Sequence, residues 1–368
     1  MDSTQRELIC GQPGILDCVN TSQFRSAVSA RLLELLNSIP AFTDSDRARS
    51  LYEEFVNPAR ALSAGGKRTR ALFVAGGFQA VLPHSSDFPL HVAVAAELYQ
   101  ASALVHDDII DAADTRRGIP ATHKLFSQLH TQALSRGSSE VFGEHAALLL
   151  GDYLLSLAGE EFARQDAPDA YFRSASAFFA SMTAETAFGQ YMDMRAEFTE
   201  IDNDAERALN DAFLVLVHKS ARYSVELPIL LGATLAGADK AMLHQLGTFA
   251  RPLGEAFQLR DDELGIFGDP AITGKPAGTD FSEGKRTVLL ALTRQMCTDS
   301  QRSFIDSHLG KTLSDDEVDQ VKDIIISSGA YEAHEELIDI REQSAHERLP
   351  SQSSILTELA DTLHRRTA

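Results

Sequence analysis

Basic residues are scarce in this chain. Across 368 residues, 33 Lys and Arg stand against 53 Asp and Glu, for a formal net charge of −20. The basic footprint of a nucleic-acid binder is absent, and attraction to an anionic lipid surface is disfavoured. An anionic substrate would have to be gripped by a local cluster of cations working against the overall field. Cysteine is scarcer still: Cys10, Cys18 and Cys297 form an odd set with no C-x-x-C spacing. Neither a disulfide framework nor a zinc site is supported, which fits a reducing compartment and sets a cytoplasmic location as the expectation. The first residues are polar and hold no apolar signal region. No segment approaches the roughly 18 uninterrupted apolar residues of a membrane span, so stable membrane insertion is not expected. The longest candidate, 71–82, is broken by Gly76, Gly77 and Gln79. Alternating β-branched runs are almost missing, which disfavours strands, and there is no fixed-period repeat or low-complexity segment.

What is present is helical periodicity. Hydrophobic residues make up 44% of the chain and charged residues 23%, enough apolar content for a large core. After a tail at 1–22, Phe24, Val28, Leu32, Leu33, Leu35 and Leu36 recur at helical spacing, with Thr21 or Ser22 as a cap. Ala- and Leu-rich helical stretches follow at 88–111, 143–165, 170–197, 205–237, 239–267 and 285–297. Ser314-Asp315-Asp316-Glu317 reads as a capping box opening a helix that ends near Gly329. The long loops fall at 130–142 and 268–284. The expectation is one all-α domain over 23–368, with helices around a shared interior.

Two acidic motifs end apolar helical stretches. In Asp107-Asp108-Ile109-Ile110-Asp111, Asp107 and Asp111 are one turn apart on one face. Carboxylates at a helix C-terminus oppose the helix dipole and repel one another, a cost that Mg²⁺ would relieve by taking one or two of them plus phosphate oxygens. A solvated acidic face is the alternative for such a motif alone. Phe257-Gln258-Leu259-Arg260-Asp261-Asp262 supplies a second pair. Two pairs facing each other would clamp one polyanion through bridging metals. The second motif is incomplete, because Gly265 stands four residues after Asp261. Asp269, before Pro270, reads as a turn or cap residue.

The cations stand near these acids. Gly65-Gly66-Lys67-Arg68-Thr69-Arg70 is a glycine turn entering a helix; glycine lets backbone approach a phosphate, and Arg forks onto oxygen pairs. A surface basic turn is the alternative. Arg116-Arg117-Gly118 follows Asp111 by five residues, Lys219 and Lys285 lie in apolar or Gly-rich contexts, and Lys275 sits in a flexible loop after the second acidic motif. His106, beside Asp107, reads as a packing histidine rather than a base.

Together these residues resemble the trans-isoprenyl diphosphate synthase family over roughly 60–290. The motifs are GGKRTR at 65–70, DDIID at 107–111, RRG at 116–118, GQYMD at 189–193, KS at 219–220, FQLRDDELG at 257–265 and GKPAGTDFSEGKRT at 274–287. The combination looks closest to actinobacterial geranylgeranyl diphosphate synthases. The resemblance implies long helices around a deep apolar cavity and a homodimer. It implies that isopentenyl diphosphate and allylic diphosphates bind with three Mg²⁺ ions. Asp107, Asp111 and Asp261 would ligate the metals, with Asp108 and Asp262 in support. Lys67, Arg70, Gln100 and Arg117 would hold isopentenyl diphosphate, with Gly66 in the approaching turn. Arg116, Lys219, Lys275 and Lys285 would hold the allylic diphosphate, and Gln190, Ser220 and Gln258 would line the developing cation. Gln100 stands where many members have His, Ser220 where Thr is usual, and Gly265 where the second motif usually ends in Asp, which puts one metal contact in question.

A class I terpene cyclase would share the first acidic motif but would not need a second diphosphate site, and it would have an Asn/Ser/Glu metal motif where Asp261-Asp262 stands. A non-catalytic binding subunit usually loses an acidic motif, and here both are present. For product length, the family closes its tunnel with aromatics four and five residues before the first Asp. Those positions are Ala103 and Ser102, and the next aromatic upstream is Tyr99, one turn or about 5.4 Å deeper. That spacing favours geranylgeranyl diphosphate, with farnesyl or geranylfarnesyl diphosphate as alternatives. Tyr99 as an ordinary core aromatic, or a floor from another helix or a dimer partner, remains open.

Overall fold

The computed structural model describes residues 21–133, 136–201, 204–269 and 277–364. The tail at 1–20 and Lys275 lie outside them. The helices are α1 Thr21–Asn37, α2 Asp46–Ser63, α3 Thr69–Val81, α4 Leu90–Ile110, α5 Thr122–Ala133, α6 Ser139–Phe162 and α7 Asp169–Glu197. They continue with α8 Ala205–Val215, α9 Leu227–Leu235, α10 Lys240–Phe267, α11 Thr279–Glu283, α12 Val288–Met296, α13 Asp299–His308, α14 Asp315–Ser327, α15 Ala330–His346 and α16 Ser354–His364. The sequence's all-α expectation holds, with one small departure. Thr115–Arg116 and Ile119–Pro120 pair as an antiparallel hairpin. At its corner, Arg117 (φ 54°) and Gly118 (φ 76°) are both left-handed, as a type I′ turn requires.

Boundaries shift where a cap outcompetes the periodic pattern. Thr21 and Ser22, assigned above to the tail, already belong to α1, where the Thr21 hydroxyl donates to Glu358 on α16 at 3.0 Å. Ser138 caps α6 at its Val141 amide, so the loop expected at 130–142 is shorter. Thr287 caps α12 through the Leu290 amide at 3.2 Å, leaving Lys285 in a loop rather than in a helix starting at 285. The loop expected at 268–284 contains α11, bounded by left-handed Gly278 and Gly284. The Ser314–Glu317 capping box is present as read, with both reciprocal bonds.

The stretch read as one helix over 205–237 is a single rod with a change of winding. Between α8 and α9, Leu216–Glu226 is a π-helix, closed by a bond from the Leu227 amide to the Arg222 carbonyl five residues back. Such widened turns occur often at functional sites. Two neighbours make room for it with glycine. A Cβ on Gly189 of α7 would lie 2.4 Å from the Lys219 amide nitrogen, and one on Gly254 of α10 would lie 2.4 Å from the Ala221 carbonyl oxygen. The same device joins α3 to α9: a Cβ on Gly77 would meet the Ile229 carbonyl at 1.9 Å, and one on Gly232 the Val74 carbonyl at 1.9 Å. The glycines that interrupt the apolar run at 71–82 are thus places of backbone contact.

Apolar side chains gather in two cores. The first is built from α1–α7, α9, the first half of α10 and α16. The second takes α8, the second half of α10 and α11–α15. The α8–α9 rod and α10 run through both.

His334 of α15 is fully buried, and neither ring nitrogen has a hydrogen-bond partner. Burial pushes its imidazole down to about 4, against the pull of Glu335. The unfolded chain keeps an ordinary imidazole near 6.5 and so binds the extra proton first. Native stability therefore falls as pH drops through the window between about 6.5 and 4, by ~3 kcal/mol in full. His334→Leu is expected to remove ~2 kcal/mol of the stability loss between about pH 7 and pH 4.5. Urea unfolding of both proteins at the two pH values checks this. Parallel pH dependence would show that His334 is already charged or hydrated in the native fold.

Candidate active site

A cavity of about 1120 Å³ opens between α3, α4, α7, the π-helical segment and α10. Each element delivers residues from one face. From α4 come Tyr99, Gln100, Ser102, Ala103 and Asp107; from α7, Gln190 and Asp193; from the π-helix, Lys219 and Ser220. From α10 come Gln258, Asp261 and Asp262, while Lys67, Arg70, Arg116, Arg117 and Lys285 complete the wall. Of the site residues read from the sequence that are described, only Gly66, Asp108 and Asp111 do not line it.

Asp108 is buried behind the wall, and the Arg116 guanidinium fixes it there: Nε donates to Oδ1 at 2.7 Å, and Nη2 reaches Asp107 at 3.3 Å. Burial works against the Arg116 charge, but Asp108 outweighs it and raises the guanidinium's affinity for its proton. Lys219 Nζ pairs with Asp193 and lies 3.4 Å from Asp107. Lys285 Nζ lies 3.0 Å from Asp111, 2.6 Å from Glu283 and 3.7 Å from Asp280. Burial, followed by the Asp107 charge, pushes the Asp111 carboxyl above its ordinary value. Burial does the same to Asp262, which accepts a bond from Gln258 at 2.8 Å. Arg260, behind Asp261, anchors α10 to Glu335 of α15.

A second group of cations comes from the glycine turn, α3 and the hairpin corner. The Arg117 guanidinium donates to the Leu62 and Gly65 carbonyls at 3.2 and 3.3 Å, spanning from the hairpin to the glycine turn. Gly66 has φ 123°, and a Cβ there would come within 3.2 Å of that guanidinium. Arg70 lies over the Tyr223 ring at 4.4 Å and donates to Ser224 at 2.6 Å. Arg68 faces away: it is buried, left-handed at φ 54°, and bonded to Ser29 and Ser63. It therefore acts on the fold of the turn, while Lys67 and Arg70 face the cavity. Gln100 accepts a hydrogen bond from the Tyr223 hydroxyl at 2.5 Å.

Deeper in, the walls turn apolar. Tyr99 donates to the Thr183 carbonyl at 3.2 Å and sits edge-on to Phe179 and Tyr223. Burial pushes its hydroxyl up to about 12. Ser102 is buried and donates to the Gly151 carbonyl at 2.8 Å, inside the α4–α6 crossing. His106 packs onto α6, where a Cβ on Gly151 would overlap its ring at 2.2 Å. His106 also lines the cavity, with Nε2 3.6 Å from Asp152.

Sequence reasoning missed several wall residues. Asp193 lines the cavity and shares the α7 face of Gln190 at helical spacing, so a face-by-face reading of the GQYMD motif would have found it; Glu197, one turn on, stands behind it on that face. Burial, then the charges of Asp193 and Asp111, pushes Glu197 up to about 7. Asp280 and Arg286 also line the cavity. Both lie in the motif at 274–287, whose reading above singled out only Lys275 and Lys285; α11 and the turn after it bring them to the wall.

Among the described residues, no three acidic, His or Cys side chains converge tightly enough to hold an ion by themselves. Arg116, Lys219 and Lys285 instead serve as counter-charges among the acids. A few carboxylates facing one cavity from two sides suit Mg²⁺, which takes one or two protein carboxylates and completes its shell with water and phosphate. The donor set fits.

The comparisons agree with this geometry. A profile of the polyprenyl synthetase family matches residues 52–325. A geranylfarnesyl diphosphate synthase of Aeropyrum pernix is 32% identical over 73% of this chain and 78% of its own length. A farnesyl pyrophosphate synthase of Schizosaccharomyces pombe is 27% identical over 86% of this chain and 88% of its own. The structure of a geranylgeranyl pyrophosphate synthase from Corynebacterium glutamicum, complexed with isoprenyl diphosphate and magnesium, superposes with a TM-score of 0.87 at 32% identity. It covers 95% of this chain and all of that one. A helical fold with two acidic motifs facing one cavity, matched along most of its length, places the chain in the polyprenyl synthetase family as a trans-prenyl diphosphate synthase.

Proposed function

We propose that this chain condenses isopentenyl diphosphate with allylic diphosphates to make geranylgeranyl diphosphate. The observation that carries this reading is the pair of separate cation sets in one cavity. Lys67, Arg70 and Arg117 come from the glycine turn, α3 and the hairpin corner, and Arg116, Lys219 and Lys285 pair with the acids of the first motif. Two diphosphates need two such sets, whereas a cyclase would need one. Three Mg²⁺ held by Asp107, Asp111 and Asp261 would supply charge stabilisation to the departing diphosphate. Lys219, Lys285 and Arg116 orient that group and neutralise part of its charge as the allylic C–O bond breaks and its electron pair leaves with the diphosphate. Gln190, Ser220 and Gln258 face the carbon centre. The double bond of isopentenyl diphosphate then forms the new C–C bond, and the departing diphosphate takes the proton lost. No His or Cys is required. Incubating the pure protein with Mg²⁺, isopentenyl diphosphate and labelled allylic diphosphates tests the reading. Linear twenty-carbon diphosphate supports it; hydrocarbons or no turnover would overturn it, and fifteen- or twenty-five-carbon products would correct its length.

The product length rests on Ala103 and Tyr99. Ala103 leaves the wall open, and Tyr99, one turn further, stands as the floor. The sequence points equally to Ser102, but its bond into the α4–α6 crossing makes that position a poor place for a bulky probe. Ala103→Phe is therefore expected to shift most product to farnesyl diphosphate, and Tyr99→Ala to release chains beyond twenty carbons. Chromatography of dephosphorylated products reads both. An unchanged distribution from an active Tyr99→Ala enzyme would remove Tyr99 as the floor.

A homodimer belongs to the same proposal. On α6, Val141, Leu148 and Leu155 recur every seven residues and are exposed, with Leu149 beside them. Leu148 and Leu155 also line the cavity, so a second copy seated on α6 would close that wall. By length and composition α6 could cross a membrane, with a third of its most apolar window buried. Its packing on α4 and α5, and Glu140, Glu144, Asp152 and Glu160 along it, favour a protein partner in the cytoplasm.

A further inference from the structure

Of the four side chains assigned above to isopentenyl diphosphate, Gln100 alone carries no charge, and a neutral amide can face an anion in two ways. One arm of the amide carries two N–H donors, and the other is a carbonyl that only accepts. Turned one way it binds a diphosphate; turned the other it sets its lone pairs against the phosphate oxygens. The π-helical segment decides between them. The Tyr223 hydroxyl donates to Gln100 Oε1 at 2.5 Å, so the carbonyl arm is held on the phenol. Among the described residues nothing accepts from Nε2, and that arm is left for the cavity that Gln100 lines.

The phenol is itself held in place. Tyr223 is buried, its ring lies under the Arg70 guanidinium at 4.4 Å, and it sits edge-on to Tyr99 at 6.0 Å. Its neighbour Ser224 accepts from Arg70 at 2.6 Å. Two of the four side chains, Arg70 and Gln100, are therefore oriented by one residue of the segment that also delivers Lys219.

We propose that Tyr223 is a positioning residue whose hydroxyl turns the Gln100 amide so that its nitrogen, and not its carbonyl, meets the diphosphate of isopentenyl diphosphate. Tyr223 need not touch the ligand to do this. The inference rests on the two-diphosphate reading above. The competing account reverses the amide: the phenol oxygen accepts from Nε2, the carbonyl faces Arg70, and losing the hydroxyl would free the amide to donate to the anion.

The experiment uses the full chain, Tyr223→Phe, Gln100→Ala and the double variant. Phenylalanine keeps the ring under Arg70 and against Tyr99, so only the hydroxyl is lost. Binding of inorganic diphosphate without Mg²⁺ is measured by calorimetry. Without the metal the acidic motifs repel a diphosphate rather than bridge it, so the measurement reads the second cation group. The Michaelis constants of both substrates are then measured with Mg²⁺. Tyr223→Phe is expected to weaken diphosphate binding and to raise the KM for isopentenyl diphosphate about fivefold, the worth of one net hydrogen bond. The allylic KM should move by less than about twofold. In the Gln100→Ala background the same change should add less than about twofold, because the residue it acts through is gone. Parent-like binding by Tyr223→Phe would overturn the proposal. So would tighter binding, which marks the reversed amide, and so would an equal loss in the Gln100→Ala background, which would move the effect to Arg70 or to the fold. If the parent makes no prenyl product, the functional reading fails, while the calorimetric cycle still decides the role of Tyr223.

Discussion

Asp107→Ala is expected to lower kcat by at least about 10²-fold, equivalent to ~2.7 kcal/mol of transition-state stabilisation. Asp107 lies between Lys219 at 3.4 Å and Arg116 at 3.3 Å at the end of α4, facing the cavity. In the proposed reaction its carboxylate acts on charge that grows as the allylic C–O bond breaks, so its loss would belong mainly to kcat. The fold is expected to tolerate the change, because each cation keeps a second acid: Arg116 retains Asp108, and Lys219 retains Asp193. Binding of isopentenyl diphosphate should change less, since the proposal assigns it to Lys67, Arg70 and Arg117. Steady-state kinetics at saturating Mg²⁺, with a thermal melt as the folding control, reads both. Near-normal turnover would remove Asp107 from the metal set.

Much of this was legible in the sequence because the relevant physics is local. The capping box at Ser314 and the apolar periodicity of α4, α7 and α10 depend on neighbours a few residues away. They placed long helices correctly to within a few residues. The acidic pairs could likewise be read as sharing a helical face. What the sequence did not disclose is set by contacts between distant segments. The π-helical winding at Leu216–Glu226 depends on two glycines in other helices, Gly189 and Gly254, that let its backbone approach. The left-handed Arg68 and Arg117 depend on the turns they complete. Asp108 read as support for the metal ligands, but the Arg116 bond that holds it inside the wall comes from the hairpin and could not be seen in the motif. The approach of Asp280 to Gly265 likewise depends on α11 packing against α10.

Arg117→Ala is expected to raise the KM for isopentenyl diphosphate by roughly 30-fold or more while moving the allylic KM by less than about threefold. A charge-assisted hydrogen bond contributes about 1.5–3 kcal/mol, and Arg can offer a diphosphate two in parallel. The structure holds this cation in place at a cost. Arg117 is left-handed at φ 54°, where a side chain is strained by about 1–2 kcal/mol. Partial burial of its guanidinium lowers its proton affinity, Glu97 pulls the other way, and the neighbouring Arg68, Arg116 and Arg70 charges add repulsion. An anion entering between these cations relieves the repulsion. Arg117→Lys should restore only part of the loss, because an ammonium is a point charge without the planar fork. Arg117→Gly separates binding from folding. Glycine adopts the left-handed corner without strain, so this variant should melt no lower than the parent and still bind isopentenyl diphosphate as poorly as Arg117→Ala. If the two Michaelis constants instead rise in parallel, the cavity does not divide its cations into two diphosphate sites, and the assignment of Arg117 to isopentenyl diphosphate falls with that division.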